Sequence, residues 1–142
     1  MRLADQNDIV ELVDLRMEFL DVTDPLIREQ NIKYFEEHLN RDLFAGIVEG
    51  ESCVLMQVMQ APPNTWANYS RYGLIVGVYT RPEFRRKGNL DGLMKIILKK
   101  AKDENLEYVE LQASKDGKNT YTRFGFEPGG YSKYEYMKKV LK

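Results

Sequence analysis

The chain has 142 residues, 43% of them hydrophobic and 30% charged, with a formal net charge of −1. That length holds one domain with a real core and is short for two ordinary ones. The near-neutral charge excludes a general polyanion binder, so any basic patch must be local.

Met1–Asp8 lacks the apolar core of a signal peptide. No later apolar run reaches membrane-spanning length, so the expected compartment is cytoplasmic, with no membrane partner. Met1–Ala4 suits a very short strand. Asp5-Gln-Asn-Asp8 is a capping signal, an acceptor at the N-cap and an acid three residues on. Ile9, Leu12, Val13, Arg16 and Leu20 then follow helical spacing, and Leu15 and Phe19 widen the apolar face. Thr23-Asp24-Pro25 restarts a helix whose buried side is marked by Ile32, Phe35 and Leu39. Phe44–Val48 and Ser52–Gln60 read as two strands joined at Glu49-Gly50-Glu51, a hairpin signal. The lone cysteine, Cys53, lies in the second of these strands. It excludes an intramolecular disulfide and a cysteine metal cluster, and it reads as a small buried hydrophobe.

Ala61–Arg71 is a loop rich in turn formers and aromatics, and Leu74–Thr80 is a central strand. From Leu90 to Ala101 an apolar stripe (Leu90, Leu93, Met94, Ile97, Leu98, Ala101) predicts an amphipathic helix, with Lys95, Lys99, Lys100 and Lys102 wet. Tyr108–Ala113 alternates as a further strand. Gly117–Phe124 is a short helix ending at Gly125, and Phe126-Glu-Pro and Tyr134–Val140 are strand material. No repeat, low-complexity tract or linker divides the chain. The expected fold is α/β, one domain over 1–142, with a mixed sheet and helices on both faces.

Two segments carry chemistry. The first is Arg81-Pro-Glu-Phe-Arg85-Arg-Lys-Gly88, between the strand ending at Thr80 and the helix beginning near Leu90. Such a turn aims backbone amides and the positive end of a helix dipole at one spot. Gly88 lets the backbone approach an anion, and Arg85, Arg86 and Lys87 supply charge. A phosphate site fits this spacing, and so does a charged surface turn that merely solubilises the helix. Neither a P-loop nor a dinucleotide fingerprint is present. The second segment is Asn119-Thr-Tyr121-Thr-Arg-Phe124-Gly-Phe126. Tyr121 and Phe124 can share a helix face, and a tyrosine hydroxyl, with an unperturbed pKa of about 10, can donate a proton. The chain has nine tyrosines, and packing is the ordinary role of any one of them.

Taken together, these segments resemble the GNAT superfamily, the Gcn5-related N-acetyltransferases. Arg85-Arg-Lys-Gly88 stands where the family carries Arg/Gln-x-x-Gly-x-Gly/Ala. Tyr121-Thr-Arg-Phe-Gly-Phe126 stands where it carries Leu-Tyr-x-x-x-Gly-Phe. The element order fits over essentially the full chain. The resemblance implies a mixed central sheet splayed between the fourth and fifth strands, forming a slot for a thioester. It implies acetyl-CoA as acyl donor, with no metal. The cofactor-binding residues it points to are Val78, Tyr79, Thr80, Arg85, Arg86, Lys87, Gly88, Asn89, Leu90 and Asp91. The pyrophosphate would lie on the amides from Arg86 to about Asp91, and the pantetheine arm would bond the strand through Val78 and Thr80. The implied reaction is direct attack of a primary amine, on a small molecule or a protein, at the thioester, with Tyr121 as general acid to the leaving thiolate. No base is assigned. His38, the only histidine, reads as a helix C-terminal residue helped by the dipole, and Glu83 as solvent-facing.

The chain departs from the family pattern at Leu90, where Gly or Ala is usual, and at Asn89, an often apolar position. Leu90 is expected to turn its side chain into the core. Ser114-Lys115-Asp116 replaces a segment where many members carry an Asn on CoA, so that contact is not transferred. Trp66 and Tyr69 in the 61–71 loop suit either an acceptor site, or a packed lid or homodimer contact. The alternative function is a catalytically degenerate acyl-CoA-binding sensor or scaffold. A nucleic-acid-binding domain using Arg81, Arg85, Arg86 and Lys87 is disfavoured by the acidic balance and the lack of an RNA-binding aromatic motif.

Overall fold

The computed structural model describes residues 1–63, 71–129 and 137–142. These fall into two compact units, 1–112 and 113–142.

The first unit opens with β1 (Arg2–Leu3) and a 3-10 turn that leads into α1 (Ile9–Leu20). This start is locally encoded. The Asp5 carboxylate accepts from the Asn7 amide at 2.8 Å, and the Asp8 carboxylate accepts from the Asp5 amide at 2.8 Å. Both bonds satisfy amides that no helical carbonyl can reach. α1 stops at Asp21, whose left-handed φ of 54° turns its amide back onto the Met17 and Glu18 carbonyls. Asp24 then caps α2 (Pro25–His38) by accepting from the Leu26 amide at 2.9 Å, and Pro25 occupies the first turn, where an amide is dispensable.

Three strands follow as an antiparallel meander: β2 (Leu43–Val48), β3 (Ser52–Gln60) and β4 (Arg71–Thr80). β1 extends it at one edge. After α3 (Asn89–Asp103), β5 (Val109–Glu110) adds to the other edge in parallel, so the sheet is mixed, in the order β1-β2-β3-β4-β5. Helices cover both faces. Leu12, Val13, Leu15 and Phe35 of α1 and α2 pack with Leu43, Ala45, Ile47, Cys53 and Leu55. On the opposite face Gly46 admits α3 so closely that a Cβ there would stand 3.1 Å from Leu93 and 3.6 Å from Ile97. Leu43–Ile47 are therefore buried throughout instead of alternating. No helix among the described residues is long and apolar enough to cross a membrane.

The meander, both N-terminal helices and α3 match the sequence expectation, with β4 beginning at Arg71, earlier than Leu74. The expected strand Tyr108–Ala113 is only Val109–Glu110. The reason is pairing: β4 carries an extra residue, Val76, because Leu55 pairs with Gly77 while Met56 pairs with Ile75. A bulge bends its strand, and pairing of β4 with β5 is confined to Gly73–Val109 and Leu74–Glu110. Alternating sequence without a pairing partner is not a strand. In the second unit α4 (Lys118–Thr122) is shorter than expected but present. Phe126–Pro128 and 137–140 carry no regular structure, so the strands expected there do not form in the described residues. Residues 134–136 of the last one lie outside them, as do Trp66 and Tyr69.

Candidate active site

The edge of β4 is built by register. The Arg81 amide donates to the Glu51 carbonyl at 2.8 Å, across β3 and β4. Alternation from that bond sends the backbone groups of Tyr79 and Gly77 toward β3, and those of Thr80 and Val78 toward the opposite edge. Two side-chain contacts agree with this. Ser52 Oγ, on β3, donates to the Tyr79 carbonyl at 2.9 Å, and Arg85 Nε donates to the Thr80 carbonyl at 3.0 Å. On that outer edge pairing with β5 has ended at Leu74. Val78 and Thr80 thus present backbone donors and acceptors on an edge that β5 leaves unpaired. Tyr79 does not: its ring lies 6.2 Å from Phe19 of α1, and its hydroxyl donates to Glu18 at 3.4 Å. Burial and the Glu18 carboxylate raise its pKa.

That edge leads to the basic turn. A 3-10 turn (Pro82–Phe84) follows β4, then Arg86 and Gly88 both take positive φ, 64° and 82°. For Arg86 such a backbone costs about 1–2 kcal/mol, the kind of strain that clusters at functional turns. Gly88 is the N-cap of α3, and no side chain caps that helix. The amides of Asn89 and Leu90 therefore have no intrahelical acceptor. A Cβ on Gly88 would meet nothing within 4 Å, so the space beside it is open.

The cations around this turn divide by role. Arg81 is committed inward, to Glu18 at 2.8–3.2 Å and the Gly50 carbonyl at 2.9 Å. Arg85, Arg86 and Lys87 are exposed, Lys87 above the Phe84 ring. Glu83 is exposed as well. Leu90 is half-buried, not driven fully into the core as expected; the buried stripe is Leu93, Met94, Ile97 and Ala101. Asn89 takes the buried place beside it, 8% exposed, and its amide donates to the Glu51 carboxylate at 2.8 Å. That bond ties the start of α3 to the β2–β3 hairpin. Asp91 is half-buried in the first turn of α3.

In the second unit Tyr121 sits on α4, half-buried, its ring edge-on to Phe126 at 6.2 Å and 76°. The amides of Phe124 and Phe126 both donate to its carbonyl, at 3.0 and 3.2 Å, so the residue is held by backbone. Among the described residues its hydroxyl has no hydrogen-bond partner. Burial raises its pKa, which keeps the hydroxyl protonated at neutral pH.

A model of the acetyltransferase (GNAT) domain family matches residues 1–129. The chain belongs to the GNAT acetyltransferase family. A predicted acetyltransferase from Clostridium acetobutylicum, whose crystal structure was determined with acetyl-CoA, is 27% identical, with a TM-score of 0.79 over 96% of this chain and 94% of that one. A GCN5-related N-acetyltransferase from Ralstonia eutropha JMP134 is 21% identical, with a TM-score of 0.71 over 99% and 97% of the two chains. A ribosomal-protein-alanine N-acetyltransferase from Brucella melitensis biovar Abortus 2308 is 20% identical, with a TM-score of 0.66 over 97% of each. The last two likenesses concern the fold. No curated protein matches the chain in sequence.

The remaining candidates in this GNAT chain resolve simply. Cys53 is buried, and burial pushes its thiol up to about 12, so it is no nucleophile. His38 ends α2, its Nδ1 2.7 Å from Asp42 and its ring stacked on Tyr34 at 4.1 Å. A cleft of about 530 Å³ lies beside α1, lined by Asp14, Glu18, Asp21 and Arg81 among others. Two of its carboxylates are already neutralised, Asp14 by Arg28 and Glu18 by Arg81. Sequence reasoning missed three features: the Val76 bulge, the Asn89–Glu51 bond and the setting of Arg16. Gly77 within a strand was the available signal for the first. A cation inside an apolar helical stripe was the signal for the third.

Proposed function

We propose that this GNAT protein is an N-acetyltransferase that moves an acetyl group from acetyl-CoA directly to a primary amine. The observation that carries the reading is the continuity of an open strand edge with an uncapped helix. Val78 and Thr80 offer backbone groups on the side that β5 leaves unpaired, and that edge runs into the Gly88 turn and the first amides of α3. The fit to a CoA is chemical. An extended arm of amides needs a strand edge, and a pyrophosphate needs unpaired amides, a dipole and cations. Gly88 leaves the approach clear, and Arg85, Arg86 and Lys87 supply the charge. The C. acetobutylicum relative with acetyl-CoA supports the same donor. The family match runs from the first compact unit into the second, which supports one acetyltransferase domain over 1–142.

The step is simple in its balance. The amine lone pair forms the N–C bond, the C–S bond breaks, the amine's proton passes to water, the thiolate takes a proton from Tyr121, and the tyrosinate is reprotonated from water. Tyr121 suits that task because its raised pKa keeps the proton in place until a thiolate develops. Holding amine and donor together supplies much of the remaining acceleration. Tyr121→Phe tests this assignment: kcat is expected to fall about 100-fold or more, with the KM for acetyl-CoA unchanged. Equal loss of turnover and of acetyl-CoA binding would remove Tyr121 from the chemistry.

A further inference from the structure

Arg16 is out of keeping with the other arginines that hold this fold together. Arg2 pairs with Asp8 and Glu49, Arg28 with Asp14, and Arg81 with Glu18. Arg16 projects from the core-facing stripe of α1, half-buried, and none of its nitrogens meets a carboxylate within 4 Å among the described residues. Its Nε donates to Asn31 Oδ1 at 3.1 Å, and Asn31 is itself fixed through its Nδ2 to the Ile27 carbonyl at 2.9 Å. Nη1 is buried and has no hydrogen-bond partner among the described residues. A buried charged donor without an acceptor costs desolvation, and native proteins rarely keep one unless a water, a ligand or a function uses it.

Its position is equally specific. Nη1 stands 3.5 Å from where a Cβ on Gly77 would be, on the α1 face of β4. Gly77 adjoins the bulged Val76. At about 3.3 Å per residue, Gly77 is roughly 10 Å along β4 from Thr80, after which the basic turn begins. Arg16 therefore lies midway along the stretch of β4 between Leu74, where pairing with β5 ends, and Thr80, which precedes the basic turn.

We infer that Arg16 recognises the acceptor, and that the acceptor amine carries a carboxylate which pairs with the guanidinium through Nη1. The inference rests on the acetyl-CoA reading above. The guanidinium is held through Nε by Asn31, while Nη1 has no partner among the described residues and the residue keeps part of its surface in contact with solvent. A paired carboxylate would supply the missing acceptor and neutralise the charge in one contact.

The test is a panel of L-amino acids, each against its own carboxamide, with thiol release from acetyl-CoA as readout. The wild type is expected to prefer the acid of at least one pair. Arg16→Met, which keeps the apolar stem, should lower kcat/KM for that acid by about 10–100-fold and leave the carboxamide and the acetyl-CoA KM nearly unchanged. Arg16→Lys should keep part of the preference. Without substrate, Arg16→Met should melt no lower than wild type, because it removes an unsatisfied charge. Equal losses on acid and amide, a preference for the amides, or a clear loss of stability in Arg16→Met would overturn the inference. CoA binding without turnover of either member of any pair would overturn the carboxylate acceptor and leave the donor reading standing. Absence of CoA binding would remove both.

Discussion

Asp8 shows how a single side chain sets the entry to this fold. Its carboxylate is buried, accepts two bonds from Arg2 at 2.7 and 2.8 Å, and also holds the Asp5 amide. The Arg2 bonds, aided by the Asp5 amide, hold its pKa below the ordinary carboxylate value. A lowered folded-state pKa contributes stability that is complete above the unfolded pKa of about 4 and is lost as pH falls from there through the folded value. Asp8→Asn should cost about 1 kcal/mol at neutral pH through the lost charge on its bonds to Arg2, and its denaturant midpoint should fall less steeply than that of wild type on acidification below pH ~4. Parallel acid profiles for the two proteins would show that Asp8 does not carry the dependence. The capping box was legible in the sequence, since Asp5 and Asp8 stand at the required spacing. The Arg2 partnership was not, because it depends on β1 lying beside the first turn. Asn89 is similar. Its departure from an apolar position was visible, but its partner, Glu51, is distant in sequence and is brought near only by the hairpin.

At the scale of elements, the site is a consequence of how β4 and α3 are seated. The meander and α3 were legible because periodicity and turn chemistry are local. The extent of β5 was not, because a strand exists only where a neighbour pairs with it, and the Val76 bulge takes β4 away from that neighbour. The buried stripe of α3 was legible at Leu93, Met94 and Ile97 and failed at Leu90, where the helix end meets the turn instead of the sheet. Gly46 decides how near α3 can lie. With a Cβ already at 3.1 Å from Leu93, Gly46→Val must push the helix outward or displace Leu93. The expected cost is about 1–3 kcal/mol in urea unfolding. An unchanged midpoint would mean that α3 is free to shift.

For the whole molecule, the account turns on a donor held along one strand edge and one helix end. Family membership was readable from Arg85–Gly88 and Tyr121 together, whereas neither segment alone separated a functional turn from a surface one. The setting of Arg16 was not readable, because only three-dimensional packing reveals that its Nη1 has no partner among the described residues. A ligand that binds the folded state alone stabilises it by mass action, about 2.7 kcal/mol at one hundred times its Kd. The most direct measurement is calorimetric titration of CoA into wild type and into Gly88→Val, paired with thermal unfolding. Wild type should bind and show the corresponding rise in Tm. Gly88→Val, forced to hold a branched side chain at a φ of 82° on the open side of the turn, should bind about tenfold or more weakly. No heat and no rise in Tm with millimolar CoA, or equal affinity in the two proteins, would contradict the pyrophosphate site at Gly88.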